Sequence, residues 1–174
     1  VLGSNGSGKS TFLKILSGHL TPSKGKIHFE NNGQKIDIDH VYKYVSYCAP
    51  YIDLIEEFTL TEALDFHQKF KPFIQNLRTK DLIELLNFSK SKNKQIRHFS
   101  SGMKQRLKLV LAICSDTPSL FLDEPTTNLD SQGMEWYAEL IEKFGNNRLI
   151  VVASNVEVDY AFCGEQINIL EYKK

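Results

Sequence analysis

"GSNGSGKST", running from Gly3 to Thr11, is the stretch on which the reading of this chain turns. Gly3, Gly8, Lys9 and Ser10 fall at the spacing G-x-x-x-x-G-K-S of a phosphate-binding loop. Glycines allow backbone angles that aim successive N–H groups inward, and the start of a following helix adds partial positive charge. In such a loop Lys9 reaches the β- and γ-phosphates of a nucleotide while the Ser10 hydroxyl ligates Mg²⁺. Ser4, Asn5, Gly6, Ser7 and Thr11 complete the nest. The context agrees: Val1 and Leu2 read as the end of a strand, and Phe12, Leu13, Ile15 and Leu16 as the buried side of a helix. Only two residues precede the motif, so the chain reads as N-terminally truncated.

Working outward, Gly18 fits the position that ends this helix, and Pro22 prevents its resumption. "GKIHFE" and "QKIDI" read as two strands joined through Asn31-Asn32-Gly33, with "VYKYVSY" as a third. Thr59-Leu60-Thr61-Glu62 is a capping box, opening a helix that ends by Pro72, and Thr79 is the expected cap of another carrying Leu82, Ile83, Leu85 and Leu86. Met103, Leu107, Val110, Leu111 and Cys114 give the stripe of a core-facing helix. "SLFLD" reads as a buried parallel strand, Tyr137, Leu140, Ile141 and Phe144 as a helix stopped at Gly145, and "RLIVVAS" and "QINILEY" as the last strands. The expected fold is α/β, a mostly parallel sheet with a small antiparallel part and a helical subdomain insertion. One domain covers 1–174: a phosphate-loop half with the hairpin at 1–58, the helical subdomain at 59–98, and a second strand–helix half at 99–174.

"LFLDEP" sets Asp123 and Glu124 at the end of a buried strand, and an open α/β sheet brings such an end beside the phosphate loop. One carboxylate can hold Mg²⁺, while its neighbour can orient or deprotonate an attacking water. Taken alone, Asp-Glu-Pro is also good turn chemistry.

Composition sets the outer limits. Lys+Arg and Asp+Glu are 21 each, so the formal charge is zero, which argues against a broad nucleic-acid footprint. Cys48, Cys114 and Cys163 are odd in number and far apart, fitting reduced thiols in a cytosolic setting rather than a disulfide framework. No apolar run approaches the roughly 18 residues of a membrane span and no signal peptide is visible, so any work at a membrane goes through a partner. His19, His28, His40, His67 and His98 show no metal-like spacing.

"GSNGSGKST", "FSSGMKQR" (Phe99–Arg106) and "LFLDEPTTNLD" (Leu120–Asp130), with the spacing between them, resemble the ATP-binding cassette ATPases of ABC transporters. The resemblance covers essentially the whole chain and implies a P-loop NTPase fold with ATP and Mg²⁺ as cofactors. It also implies a head-to-tail pair, as a homodimer or with a second cassette. Ser100, Ser101 and Gly102 of one copy would then close over the ATP held by the other's loop. A hydroxyl and small-residue N–H groups at a helix start suit a γ-phosphate, although Ser100 equally suits a plain helix cap. By the same resemblance Asp123 is the Mg²⁺-side acid, Glu124 the catalytic carboxylate and Asp130 the acid linking the two sites. A transmembrane permease subunit is the implied partner, docking near the aromatic-rich segment 59–98 and holding the cassette on the cytoplasmic face of the membrane.

The signature and two single positions depart from the family. Its signature is usually Leu-Ser-Gly-Gly-Gln, whereas here Phe99-Ser100-Ser101-Gly102-Met103 stands. Its Mg²⁺-sensing glutamine falls on Pro50, which has no donor, though the Pro50-Tyr51 turn offers the Tyr51 hydroxyl nearby. Its switch histidine falls on Asn155, which can donate to a phosphate oxygen but carries no charge and relays no proton. With both sensors replaced, and Glu124 and Asn155 as the catalytic set, the expected function is ATP-powered transport with slow hydrolysis. The alternative is a nucleotide-gated regulatory cassette that binds ATP with little or no turnover.

Overall fold

The computed structural model describes residues 1–172. Helix α1 (Lys9–Leu16) starts at Gly8 with φ 99°, an angle that costs little only for glycine, and closes at Gly18, whose N–H returns to Ile15 O. Strands β1 (Phe29–Asn31) and β2 (Gln34–Ile36) pair antiparallel, with φ of 50° at Asn32 and 76° at Gly33, the two-residue turn that Asn-Gly favours. The expected strand "VYKYVSY" is only half a strand. Ile38–Lys43 is a 3₁₀ helix and β3 is confined to Val45–Cys48. The helical turn brings Val41 inward beside Val45 and Leu13.

Helix α2 (Leu60–Gln68) opens on the full capping box: the Thr59 N–H donates to Glu62 at 2.7 Å, and the Glu62 N–H to Thr59 Oγ1 at 3.3 Å. Helix α3 (Thr79–Leu85) departs by one residue from the expected cap. Arg78 takes the cap position, its N–H donating to Asp81 at 2.9 Å, while the Thr79 hydroxyl goes to Asp65. Then come α4 (Ser101–Ile113), β4 (Ser119–Asp123), α5 (Ser131–Phe144), β5 (Leu149–Ala153) and the short α6 (Glu157–Tyr160).

Strands β3, β4 and β5 form a parallel sheet with β4 in the middle, Val45–Cys48 beside Ser119–Leu122 and Ser119–Asp123 beside Leu149–Ala153. Alternation along β4 splits its side chains between two cores. Leu120 and Leu122 join Leu64, Leu82, Leu107, Val110 and Tyr137; Phe121 faces the other way, to Leu13, Val41, Val45 and Ala153. Both faces are covered, which is why "LFL" is continuously apolar. The same crowding buries more of α4 than one stripe, taking in Leu109, Ala112 and Ile113.

"QINILEY", expected as a strand, is not one. Ile169–Tyr172 is a 3₁₀ helix, and a single parallel bridge joins Leu2 to Asn168. Leu170 and Tyr172 are exposed, so no core face rewards alternation there. Around the bridge the Leu2 N–H donates to Ile167 O at 2.8 Å and the Ile169 N–H to Leu2 O at 2.9 Å. On the other side Val1 bonds Val152 O, and the Ser154 N–H bonds Val1 O. Val1 and Leu2 thus run along β5 and deliver Gly3 to the carboxyl edge of the sheet. The three cysteines are free, with Cys48 and Cys114 buried. Among the described residues no helix is long and apolar enough to cross a membrane.

Candidate functional site

Everything the sequence singles out in the phosphate loop lies at that carboxyl edge. A Cβ on Gly3, φ 151°, would stand 2.6 Å from Ser7 Oγ and 2.8 Å from Ile169 Cγ2, so no side chain fits. The Ser7 N–H closes the turn on Ser4 O at 3.0 Å, and the Ser7 hydroxyl is buried without a partner. Ser4, Asn5, Gly6 and Thr11 are exposed, while Ser10 is half-buried. Lys9 is 5% exposed, and its ammonium donates to Gly3 O at 2.7 Å and Ser4 O at 3.4 Å. Among the described residues it has no carboxylate partner. A buried charge held by carbonyls alone is short of a counter-charge.

Asp123 ends β4 and is 2% exposed; its Oδ2 accepts the Tyr51 hydroxyl at 2.9 Å, and its Oδ1 is buried without a partner. A carboxylate oxygen and the Ser10 hydroxyl make a hard, all-oxygen donor set, which suits Mg²⁺, a cation that completes its shell with water and phosphate oxygens. Consistent with so sparse a set, no group of three or more His, Cys, Asp or Glu side chains converges among the described residues.

Glu124 is exposed and sits at φ 44°, in the left-handed region. Its N–H continues the β4–β5 ladder by donating to Ala153 O at 2.9 Å, and its carbonyl accepts the Thr127 N–H at 3.1 Å. Such a backbone costs on the order of 1 kcal/mol and persists only where the surroundings dictate it. Gln105, buried on α4, supplies part of that dictation by donating from Nε2 to Pro125 O at 2.7 Å. Asn155 lies two residues beyond the end of β5. Its Oδ1 accepts the Gly3 N–H at 3.4 Å and its Nδ2 faces Asn5 Oδ1 at 3.5 Å, both long. Behind it the buried Ser154 accepts the Val156 N–H and donates to Asp159, anchoring the loop. The phosphate loop, Asp123, Glu124 and Asn155 therefore share one edge.

Ser100, Ser101, Gly102 and Asp130 lie apart from that group. Ser100 caps α4, its Oγ accepting the Met103 N–H at 3.2 Å, and Asp130 caps α5, its Oδ1 accepting the Gly133 N–H at 2.8 Å. Ser100 and Ser101 are exposed, and a Cβ on Gly102 would approach Asn128 O at 3.1 Å. Among the described residues no hydrogen bond joins these groups to the phosphate loop.

Around Pro50 and Tyr51 stand Tyr47, Lys14 and Lys108, which carried no sequence signal. Tyr47 Oη lies 2.7 Å from Tyr51 Oη, Lys14 Nζ sits 4.3 Å from the Tyr51 ring centre, and Lys108 Nζ donates to Pro50 O at 2.7 Å. Burial, with Asp123 adding to it, pushes the Tyr51 phenol up to about 12, so it keeps its proton at neutral pH.

Comparison with known proteins points the same way. A family model described as ABC transporter matches residues 1–127. ATP-binding cassette sub-family A member 17 of Mus musculus is 29% identical over 98% of this chain and 10% of its own length. Sub-family A member 2 of Rattus norvegicus is 27% identical over 99% of this chain and 7% of its own length. The chain thus spans a tenth or less of these curated relatives. A solved structure described as the ATP binding subunit of an ABC transporter is 25% identical, with a TM-score of 0.76 over 91% of this chain and 68% of that one.

Proposed function

We propose, because the chain belongs to the ABC transporter family, that it is an ATP-hydrolysing cassette powering transport by closing head to tail on a second cassette. One observation carries the reading: the same sheet edge holds a buried ammonium with carbonyl partners alone, Lys9, and a buried carboxylate oxygen with no partner, Asp123 Oδ1. ATP with Mg²⁺ supplies the anion and cation those two groups lack, and the phosphoryl group to be transferred.

In this reading the Gly3–Thr11 nest grips phosphate oxygens through its N–H groups, and the Lys9 ammonium swings from Gly3 O to the β- and γ-phosphates. Ser10 and Asp123 hold the metal. Glu124 takes the proton of the attacking water, and Asn155 donates an amide hydrogen to the γ-phosphate. Ser100, Ser101 and Gly102 are free to serve the site of the opposing cassette, with Asp130 as the link between the two. A neutral amide in place of a charged imidazole forfeits on the order of 1 kcal/mol in the transition state, roughly tenfold in rate, so hydrolysis is slow. The 59–98 segment acts as a helical subdomain of a single domain. Its exposed Phe66 and Phe70 support docking of a transmembrane permease that holds the cassette at the cytoplasmic face. Pro50 and Asn155 favour a second reading, a regulatory cassette that binds ATP with little turnover, and a turnover assay separates the two.

The test uses the full-length protein. Glu124→Gln is expected to bind ATP as tightly as the unaltered protein, to hydrolyse it about 10²-fold or more slowly, and to accumulate a closed dimer by light scattering. Unchanged turnover removes Glu124 from the mechanism, and ATP-driven pairing undiminished in Ser100→Arg removes the head-to-tail arrangement.

A further inference from the structure

Asp123 presents two oxygens in unequal surroundings. Oδ2 is occupied by the Tyr51 hydroxyl at 2.9 Å, while Oδ1 is buried and bare. An ionised carboxylate only accepts, so Tyr51 must donate to it; each hydroxyl has one hydrogen, so Tyr47 must donate to Tyr51. The relay therefore runs one way, from Tyr47 through Tyr51 to Asp123. Tyr51 is 48% exposed, yet both its turn and its ring are held. The ring of Pro50 fixes the turn before it, Lys108 of α4 binds the Pro50 carbonyl at 2.7 Å, and Lys14 of α1 lies 4.3 Å from its ring centre. Nothing in the packing of the core calls for a half-exposed phenol at this spot. Beyond the hydrogen bond it accepts from Tyr47, its hydroxyl holds the acid.

We infer that Tyr51 is a positioning residue for metal binding: its hydroxyl holds one oxygen of Asp123 so that the other is left facing a divalent cation. This rests on the nucleotide reading above. Without the phenol the carboxylate is free to turn, and the oxygen offered to the metal is no longer fixed. The contribution is to Mg²⁺ affinity, not to the grip on the nucleotide itself.

The experiment is a Mg²⁺ titration of the full-length protein with a fluorescent ATP analogue, alongside analogue binding in excess chelator. Tyr51→Phe keeps the ring and its Lys14 contact, so it is expected to fold and to bind the analogue in chelator like the unaltered protein. Its half-saturating Mg²⁺ concentration should rise about tenfold, the scale of one charge-assisted hydrogen bond. Tyr51→Gln, which restores a donor, should recover at least half of that shift on a logarithmic scale, and Tyr47→Phe should shift less than Tyr51→Phe. A Tyr51→Phe titration that overlays the unaltered protein overturns the inference while leaving the nucleotide reading intact. Failure of the unaltered protein to bind the analogue at any Mg²⁺ concentration overturns that reading, and the inference with it.

Discussion

Replacing Gln105 tests how α4 holds the turn at Glu124. The side chain is 2% exposed, and its hydrogen bond from Nε2 to Pro125 O at 2.7 Å ties α4 to the residue that follows Glu124. Gln105→Met keeps most of the volume but removes the donor, leaving a buried carbonyl unsatisfied at a cost of about 1–3 kcal/mol. Gln105→Ala adds a cavity, bringing the loss to roughly 2–4 kcal/mol. A domain of this size has on the order of 5–15 kcal/mol of stability in all, and each kcal/mol moves Tm by about 2–4 °C. The expected drop is therefore roughly 2–12 °C for the methionine variant and 4–16 °C for the alanine variant, read by urea and thermal unfolding followed by circular dichroism. ATP turnover should fall in both at temperatures where both remain folded, because the left-handed backbone at Glu124 loses one of its restraints. A Gln105→Met protein within 0.5 kcal/mol of the parent, and with unchanged turnover, would refute the reasoning.

Two further outcomes follow from other parts of the site and core. Asn155→His should raise ATP turnover about tenfold by restoring a charge-assisted contact, and a parent protein that already hydrolyses at ordinary cassette rates with its membrane partner contradicts the slow-turnover reading. Burial, helped by Lys71, lowers the His67 pKa to about 4 in the folded protein, against about 6.5 in the unfolded chain. The unfolded state then binds the extra proton between those values, so this contribution to stability is intact above pH 6.5 and is lost as the pH falls toward 4. From pH 6.5 to 5 the loss should be on the order of 1–2 kcal/mol. His67→Gln, which can still meet Ser115 Oγ, should flatten the dependence of Tm on pH; an unaltered slope rules His67 out.

What was legible in the sequence is what local stereochemistry dictates. The Gly3 to Ser10 spacing, the Asn32-Gly33 turn and the Thr59–Glu62 box each describe a backbone shape that few other residues permit, and each appears where expected. "SLFLD" was readable because a strand covered on both faces has no polar side to confuse with a helix. "VYKY" and "INILEY" misled because β-branched and aromatic residues suit strands only when a neighbouring strand exists to pair with; "VYKY" has none, and "INILEY" meets only Leu2 through a single bridge. The least legible feature was the company around Asp123 and Glu124. Tyr51 meets Asp123, and Gln105 meets Pro125, across folds of chain that no local pattern encodes. A glutamine beside a hydrophobic stripe reads as surface, yet here it is buried because it has a carbonyl to satisfy.

The bridge that seats Leu2 between Ile167 and Ile169 has a consequence for biosynthesis. The glycine nest near the start of this segment rests on a floor translated more than 160 residues later, and β4 must arrive before β3 has anything to pair with. A growing polypeptide can display the entire motif and still have no cradle to offer. Until the ribosome has released Ile169 the loop lacks that floor, and the unpaired strands of the sheet stay open to misassociation.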